Sequence, residues 1–376
     1  MARNYLHVFE EMNSLQYRVN KPKDMILLAS LLVGFFLIPL SEAFVNHSSR
    51  WNEIRSITGQ KISRQSPLHM KIPGQLSKKV IVTGAAGRTG SLVFSLLSSD
   101  PQFDVVGLVR SEASAKKLMA KTKCSLEEVV ISDVTQMQFE DVGDDSQQNP
   151  WPRALDGTEA MVICTSAVPQ ISKLSVIKAM LKIPLNILAK KKAINFRDLV
   201  FKYKPGQYPE MVDYVGQKKQ IDFAKKLGVK HVILVSSMGV LDPNNFLNQI
   251  GKDKRGNGHG DILIWKRMAE KYLCLSGLQY TIIHPGGLVD TESRKMELVL
   301  DVDDALMRNE KKSISRGDVA NLCIAALTVS GGKSISFDCI GKEVADENNV
   351  RSPEDVLKEF LETGKTADYR LGPASY

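Results

Sequence analysis

Glycines and arginines near residue 80 carry the most explicit chemistry in this sequence. Residues 80–90 read Val-Ile-Val-Thr-Gly-Ala-Ala-Gly-Arg-Thr-Gly, an apolar run that breaks into glycine at 84, 87 and 90. That spacing predicts a strand turning directly into a helix. Gly84 permits the tight turn, Gly87 lets a pyrophosphate approach the backbone, and Gly90 lets the helix pack closely on the strand. Free N–H groups and the positive end of the helix dipole would then face the phosphates, so the expected ligand is a dinucleotide. A second apolar run, 103–109, ends in Arg110-Ser111, where NAD-selective folds place an acid on the ribose 2′-hydroxyl. Arginine does the reverse, offering a planar fork of donors to a 2′-phosphate, and Arg88 inside the glycine loop adds a second positive charge. NADP is expected over NAD, the bland alternative being two solvated surface charges.

The elements needed to position these residues follow in order. Residues 129–132 read as a third strand ending at Asp133, 160–165 as a fourth ending in Ser166-Ala167, and 232–235 as a fifth ending in Ser236-Ser237. Residues 280–283 make a sixth before His284-Pro285-Gly286-Gly287. Helical periodicity occupies 89–98, 112–121, 210–227 and 262–275. Strands alternating with helices, the strands being continuous apolar runs, predict an α/β fold: a doubly wound parallel Rossmann sheet covered on both faces, with a small C-terminal substrate lobe. Ligands bind at the carboxyl ends of such strands, where Thr83, Arg110, Asp133, Thr165, Ser236 and His284 fall.

Several further motifs keep a fixed order: Gly107-Leu108-Val109-Arg110-Ser111, Thr165-Ser166-Ala167-Val168-Pro169, Trp265-Lys266-Arg267-Met268-Ala269-Glu270, Gly286-Gly287-Leu288 and Arg316-Gly317-Asp318-Val319-Ala320. With the glycine loop they make residues 78–340 resemble an atypical short-chain dehydrogenase/reductase, an NAD(P)-binding protein of the plant chloroplast type. The resemblance implies an NADP(H) cofactor held by Gly84, Ala86, Gly87, Arg88, Thr89, Gly90 and Arg110, and at its adenine by Asp133, followed by Val134. Thr165, Ser166, Pro285, Gly286 and Gly287 complete the expected cofactor site, with Lys266 bridging the nicotinamide ribose hydroxyls.

Reductases of this superfamily use a Tyr-x-x-x-Lys pair, with a Ser at the end of the fifth strand and an Asn on the preceding helix. The phenol donates a proton to the nascent alkoxide, and the lysine lowers its pKa. Here Lys266 matches the lysine, but the residue four before it is Ile262, so the proton donor is missing from its usual place. Ser236 or Ser237 fills the serine role, and Asp213 stands where relatives carry Asn. Tyr272 lies about 600° around the helix from Lys266 and faces away; Tyr214 reads as a packed aromatic. His284, where the resembling proteins commonly have Arg, reads as cleft lining, with general-acid work as the alternative. A quinone can accept hydride without an enzyme-supplied proton, because the hydroquinone anion is stabilised. The expected function is therefore hydride transfer from NADPH to a small-molecule quinone, enone or related carbonyl. The competing class is a non-catalytic NADPH-dependent scaffold or redox sensor, and a sugar-nucleotide epimerase is disfavoured because its cycle needs the same Tyr/Lys pair.

The front of the chain reads as an address. Residues 25–40 are uncharged, follow Lys21 and Lys23, and are short for a membrane span, as in a signal-peptide core within a leader of 1–44. Residues 45–77 form a Ser- and Arg-rich segment of transit-peptide composition, so a two-part presequence to a plastid stroma is expected, with a membrane anchor through 25–40 as the alternative. The five cysteines show no close spacing, which suggests neither a zinc site nor a disulfide framework, and no metal is expected. Residues 171–209 are strongly basic, with lysines at 173, 178, 182, 190, 191, 192, 202 and 204 and Arg197 within a chain of net charge +8. A lid over the substrate cleft ranks first for this insert, peripheral contact with an anionic membrane second, and nucleic acid last, since no base-reading pattern accompanies the charge. Residues 352–363 predict an N-capped helix with Pro353 at its first position, within a C-terminal helix and tail of 341–376.

Overall fold

The computed structural model describes residues 77–135, 154–183, 199–346 and 349–372. The leader, the transit-like segment up to residue 76, residues 136–153 and the last four residues lie outside the described residues. The chain divides into two compact units, one of residues 71–170 and 201–376, the other of 1–70 and 171–200.

The larger unit is built on an eight-stranded sheet. Its strands are β1 (Lys78–Thr83), β2 (Phe103–Val109), β3 (Val129–Ile131), β4 (Ala160–Ile163), β5 (His231–Val235), β6 (Gln279–Pro285), β7 (Glu297–Asp301) and β8 (Ile335–Lys342). Across the sheet they run β7-β8-β6-β5-β4-β1-β2-β3. All neighbours pair in parallel except β7 with β8. The order β3-β2-β1-β4-β5-β6 reverses direction between β1 and β4, the switch point that opens a crevice at the strands' carboxyl ends.

Alternation along β1 shows why both faces are covered. Val80 and Val82 point into one core with Phe94, Leu97, Phe337 and Phe360, while Ile81 joins Met161, Ile163, Ile221 and Leu273 in the other. The helices are α1 (Gly90–Ser98), α2 (Glu112–Thr122), α3 (Glu210–Lys226 in two parts), α4 (Ile262–Leu275), α5 (Arg316–Val329) and α6 (Pro353–Glu362). Ser111, Ser315 and Ser352 cap α2, α5 and α6 by accepting from the backbone N–H of Ser114, Asp318 and Asp355. The α6 helix packs on α5 and β7.

Two features depart from the expected pattern. The run 210–227 is not one α-helix: Glu210–Gly216 is π-helical and only Gln217–Lys226 is α. β7 and β8 enlarge the sheet beyond the strands legible by periodicity, because Asp338 and Gly341 interrupt the apolar run of β8. Within the smaller unit, the helix Lys173–Leu181 buries Ser175 and Ala179 and exposes Leu174, Ile177 and Leu181. Residues 184–198, which carry much of the insert's charge, lie outside the described residues.

Candidate functional site

The glycine loop joins β1 to α1. Gly84 has φ +65°, a left-handed conformation, and a Cβ there would stand 2.9 Å from the Cys164 carbonyl oxygen. At Gly90 a Cβ would stand 2.4 Å from the Gly84 oxygen, so the first turn of α1 closes directly onto the loop and onto β4's end. The Gly87 N–H donates to the Gly84 oxygen at 2.8 Å. No side chain caps α1, and its first turn holds no acid, so the positive end of its dipole faces the loop without an anionic partner. The buried Thr83 hydroxyl at the end of β1 has no hydrogen-bond partner. These residues fit a dinucleotide diphosphate.

The two arginines differ. Arg88 pairs with Asp290, a carboxylate it shares with Arg316 at 2.9 Å. Arg110 is exposed and hydrogen-bonds the neutral amide of Gln207, so it keeps its charge. Asp133 accepts the Thr135 N–H at 2.9 Å and its hydroxyl at 2.7 Å, forming the turn that follows β3, and Val134 is buried beside Gly216.

Beyond β4, the structure gathers residues distant in sequence. Lys266 Nζ lies 2.8 Å from Asp213 Oδ1, both side chains almost fully buried. The other Asp213 oxygen accepts the Ala167 N–H at 2.9 Å. One carboxylate thus ties the lysine to the loop leaving β4, and the π-helical turn carries that carboxylate inward. Gln217 donates to the Thr165 carbonyl at 2.9 Å and Gln220 to its hydroxyl at 3.1 Å, fixing the same loop, while Ser166 is exposed. Burial pushes the Cys164 thiol up to about 12, with Lys266 acting weakly in the opposite direction. Tyr203 also has a buried hydroxyl without a partner, and its pKa is raised by burial and then by Asp213.

Behind this pair lies a second, fully buried group. Glu270 accepts from the Ser236 hydroxyl and stands 3.2 Å from Arg267 and 3.3 Å from His284 Nε2. His284 Nδ1 in turn lies 3.2 Å from Asp338. His284 therefore does not line the cleft: β6 continues through it to Pro285, turning the imidazole between α4 and β8. Burial acts to lower its pKa, but the Glu270 and Asp338 carboxylates outweigh burial and raise it to about 9. Ser236 commits its proton to Glu270, whereas Ser237 is more open and donates to the Met238 carbonyl at 3.0 Å. Pro285 accepts the Met238 N–H, Gly286 donates to Cys339, and Gly287 donates to Lys312 at 2.7 Å, so these three brace the loop after β6.

Tyr214 stacks on Trp265, and Tyr272 donates to Asp222, away from Lys266. Sequence reasoning gave no role to Gln217, Gln220, Arg267, Glu270, Asp290 or Asp338. A signal existed for two of them, since Arg267 and Glu270 are charges spaced i, i+3 on a helix that buries Leu263, Ile264, Ala269 and Leu273. Among the described residues no group of three or more His, Cys, Asp or Glu is placed to hold a metal ion, and no helix is long and apolar enough to cross a membrane.

A sheet reversing between β1 and β4, with a glycine cradle at the reversal, defines a dinucleotide-binding Rossmann protein. A family model described as NAD(P)H-binding matches residues 84–329, and the chain belongs to that family. It is an atypical short-chain dehydrogenase/reductase of the plant chloroplast type. Similar proteins include sanguinarine reductase of Eschscholzia californica, 40% identical over 70% of this chain and 89% of that one. An uncharacterised chloroplastic protein of Arabidopsis thaliana is 39% identical over 70% of this chain and 69% of its own length. Among solved structures, a Bacillus halodurans protein provisionally assigned as an NAD-dependent epimerase/dehydratase shares the fold, with TM-score 0.50, 21% identity and coverage of 75% of this chain and 100% of that one.

Proposed function

We propose that this protein is an NADPH-dependent reductase of a quinone, enone or related carbonyl compound, working in a plastid. The observation that carries the reading is the Lys266–Asp213 pair, built beside the glycine cradle while the usual phenol position is Ile262. The 40% identity to sanguinarine reductase supports a reductase, and the chloroplastic name of the Arabidopsis relative supports the compartment. NADPH is favoured over NADH because Arg110 keeps its charge where a 2′-phosphate would lie.

When bound, NADPH supplies a hydride. Gly84, Gly87 and Gly90 offer backbone to its diphosphate, and Lys266 offers its ammonium to the nicotinamide ribose. Asp213 fixes that ammonium and the loop after β4 together, so the lysine does not wander when the site fills. A buried pair of this kind adds little net stability, since desolvation offsets attraction, and its value is positional.

The test is NADPH oxidation by the purified full chain against quinones, enones and simple carbonyls, with NADPH binding followed by fluorescence in the same samples. Binding with turnover is expected. Tight binding without turnover across the panel would replace the reductase reading with that of an NADPH-responsive scaffold or sensor.

A further inference from the structure

Residues 171–197 hold seven basic residues and no acid, and the reductase reading uses none of them. The helix Lys173–Leu181 within this stretch presents its faces in reverse. A surface helix of a globular protein buries its large apolar side chains and shows small or polar ones to water. Here Ser175 and Ala179 are buried, whereas Leu174, Ile177 and Leu181 are 61%, 48% and 71% exposed. Spaced i, i+3 and i+7, the three lie within an arc of about 60° around the helix, almost opposite the buried pair. They form one outward apolar stripe.

Polar contacts fix this orientation. The Ser175 hydroxyl donates to the Ser172 carbonyl at 2.7 Å and accepts the Val200 N–H at 3.1 Å. The Ser172 N–H donates to the Val200 carbonyl at 2.8 Å. Rolling the stripe inward would strip the Ser175 bonds and bury their polar partners unsatisfied. Among the described residues no other helix exposes three large apolar side chains. An exposed apolar group rimmed by charge marks a surface that meets a partner.

Charge decides what that partner is. Lys178 is exposed about 40° around the helix from Leu174, and Lys182 is exposed one turn further on. Lys190-Lys191-Lys192 and Arg197 add cations in the sequence that follows. A second copy of this chain would bring the same positive charge to the contact and be repelled. A bilayer with anionic headgroups answers both features at once: the leucine and isoleucine side chains enter the acyl boundary, and the ammonium groups stay among the phosphates.

We propose that the helix Lys173–Leu181 docks this protein on an anionic lipid surface, lying in the plane of the interface with Leu174, Ile177 and Leu181 inserted to a depth of about 5–10 Å. The proposal stands apart from the reductase reading and gives the basic insert a role in location. Three apolar side chains make a peripheral and reversible contact, so it depends on the lysines as well.

The test is hydrogen exchange, read by mass spectrometry in the peptide 172–183 of the full chain. That readout is local, so membrane contacts made elsewhere in the chain do not enter it. Vesicles of phosphatidylcholine with about one third phosphatidylglycerol are compared with phosphatidylcholine alone. Anionic vesicles are expected to slow exchange in this peptide by about tenfold, because docking suppresses local opening of the helix, and neutral vesicles to leave it nearly unchanged. The Leu174→Ser/Ile177→Ser/Leu181→Ser variant should lose the slowing while binding NADPH as wild type does, by fluorescence. Lys178→Glu, which leaves the stripe intact, should need several-fold more anionic lipid for the same slowing. Exchange that anionic vesicles leave unaltered, or slow equally in wild type and in the triple serine variant, overturns the proposal. So does equal slowing by both kinds of vesicle, which would leave the lysines without a part. Slowing that grows with protein concentration in the absence of vesicles would assign the stripe to a second copy and overturn it as well.

Discussion

The two halves of the crevice solve opposite problems with opposite materials. On the β1 side, the glycine loop recognises through backbone alone: its specificity lies in the absence of side chains, with Gly84 and Gly90 packed so closely that a single methyl group collides. On the β5–β6 side, the site is made of side chains, and charged ones, sealed from water in the Lys266–Asp213 pair and the Ser236–Glu270–His284–Asp338 group. A cradle without side chains is damaged by addition. A buried charge cluster is damaged by removal, because each member left behind keeps the desolvation cost that its partner had offset.

That contrast orders the expected effects. Deleting a carboxylate from the charged half should do most. Glu270→Ala leaves Arg267 and His284 buried without their shared anion, at an expected cost of about 3–5 kcal/mol in unfolding free energy, read by urea denaturation. A loss below about 1 kcal/mol would mean that the cluster opens to water and behaves as a surface pair.

The same half should respond to pH. His284 is raised from 6.5 to about 9 in the folded chain, so its contribution is fully present below the unfolded value and is lost as pH rises through about 9. The span is on the order of 3 kcal/mol. Unfolding measured across this window should show wild-type stability declining and a His284→Arg variant lacking that decline.

The backbone half should respond to addition. Gly90→Ala places a Cβ 2.4 Å from the Gly84 oxygen, and the expected cost is about 1–3 kcal/mol together with weakened NADPH binding by fluorescence titration. Unchanged affinity would show that the loop relaxes without disturbing the cradle. The smallest effect is expected at the rim. Arg110→Asp should shift the ratio of NADPH to NADH affinity by about tenfold toward NADH, and an unmoved ratio would remove Arg110 from the 2′-phosphate.

The halves also differ in how far the sequence disclosed them. β2 and α4 fall on the residues read from periodicity, 103–109 and 262–275, because each has an uninterrupted apolar pattern. The strand β8 escaped, since Asp338 and Gly341 break its pattern, and Asp338 is there to meet His284. The π-helical turn at Glu210–Gly216 also escaped, because its periodicity differs from the α-helix by a single residue per turn and no local signal marks it. His284 read as cleft lining because its strand was expected to end at residue 283, whereas β6 runs to Pro285.

By itself the sequence determined what depends on near neighbours: the strand that ends in glycine, the arginine after the second strand, and an alternation that requires a two-faced parallel sheet. Backbone conformation and hydrophobic period are local properties, written in consecutive residues. Tertiary structure alone decided which charges meet. Asp213 reaches Lys266, Asp290 reaches Arg88, and Glu270 reaches both Ser236 and His284, across separations along the chain that no motif spans. A buried ion is tolerated only where its partner arrives, and the partner's arrival is a property of the folded sheet.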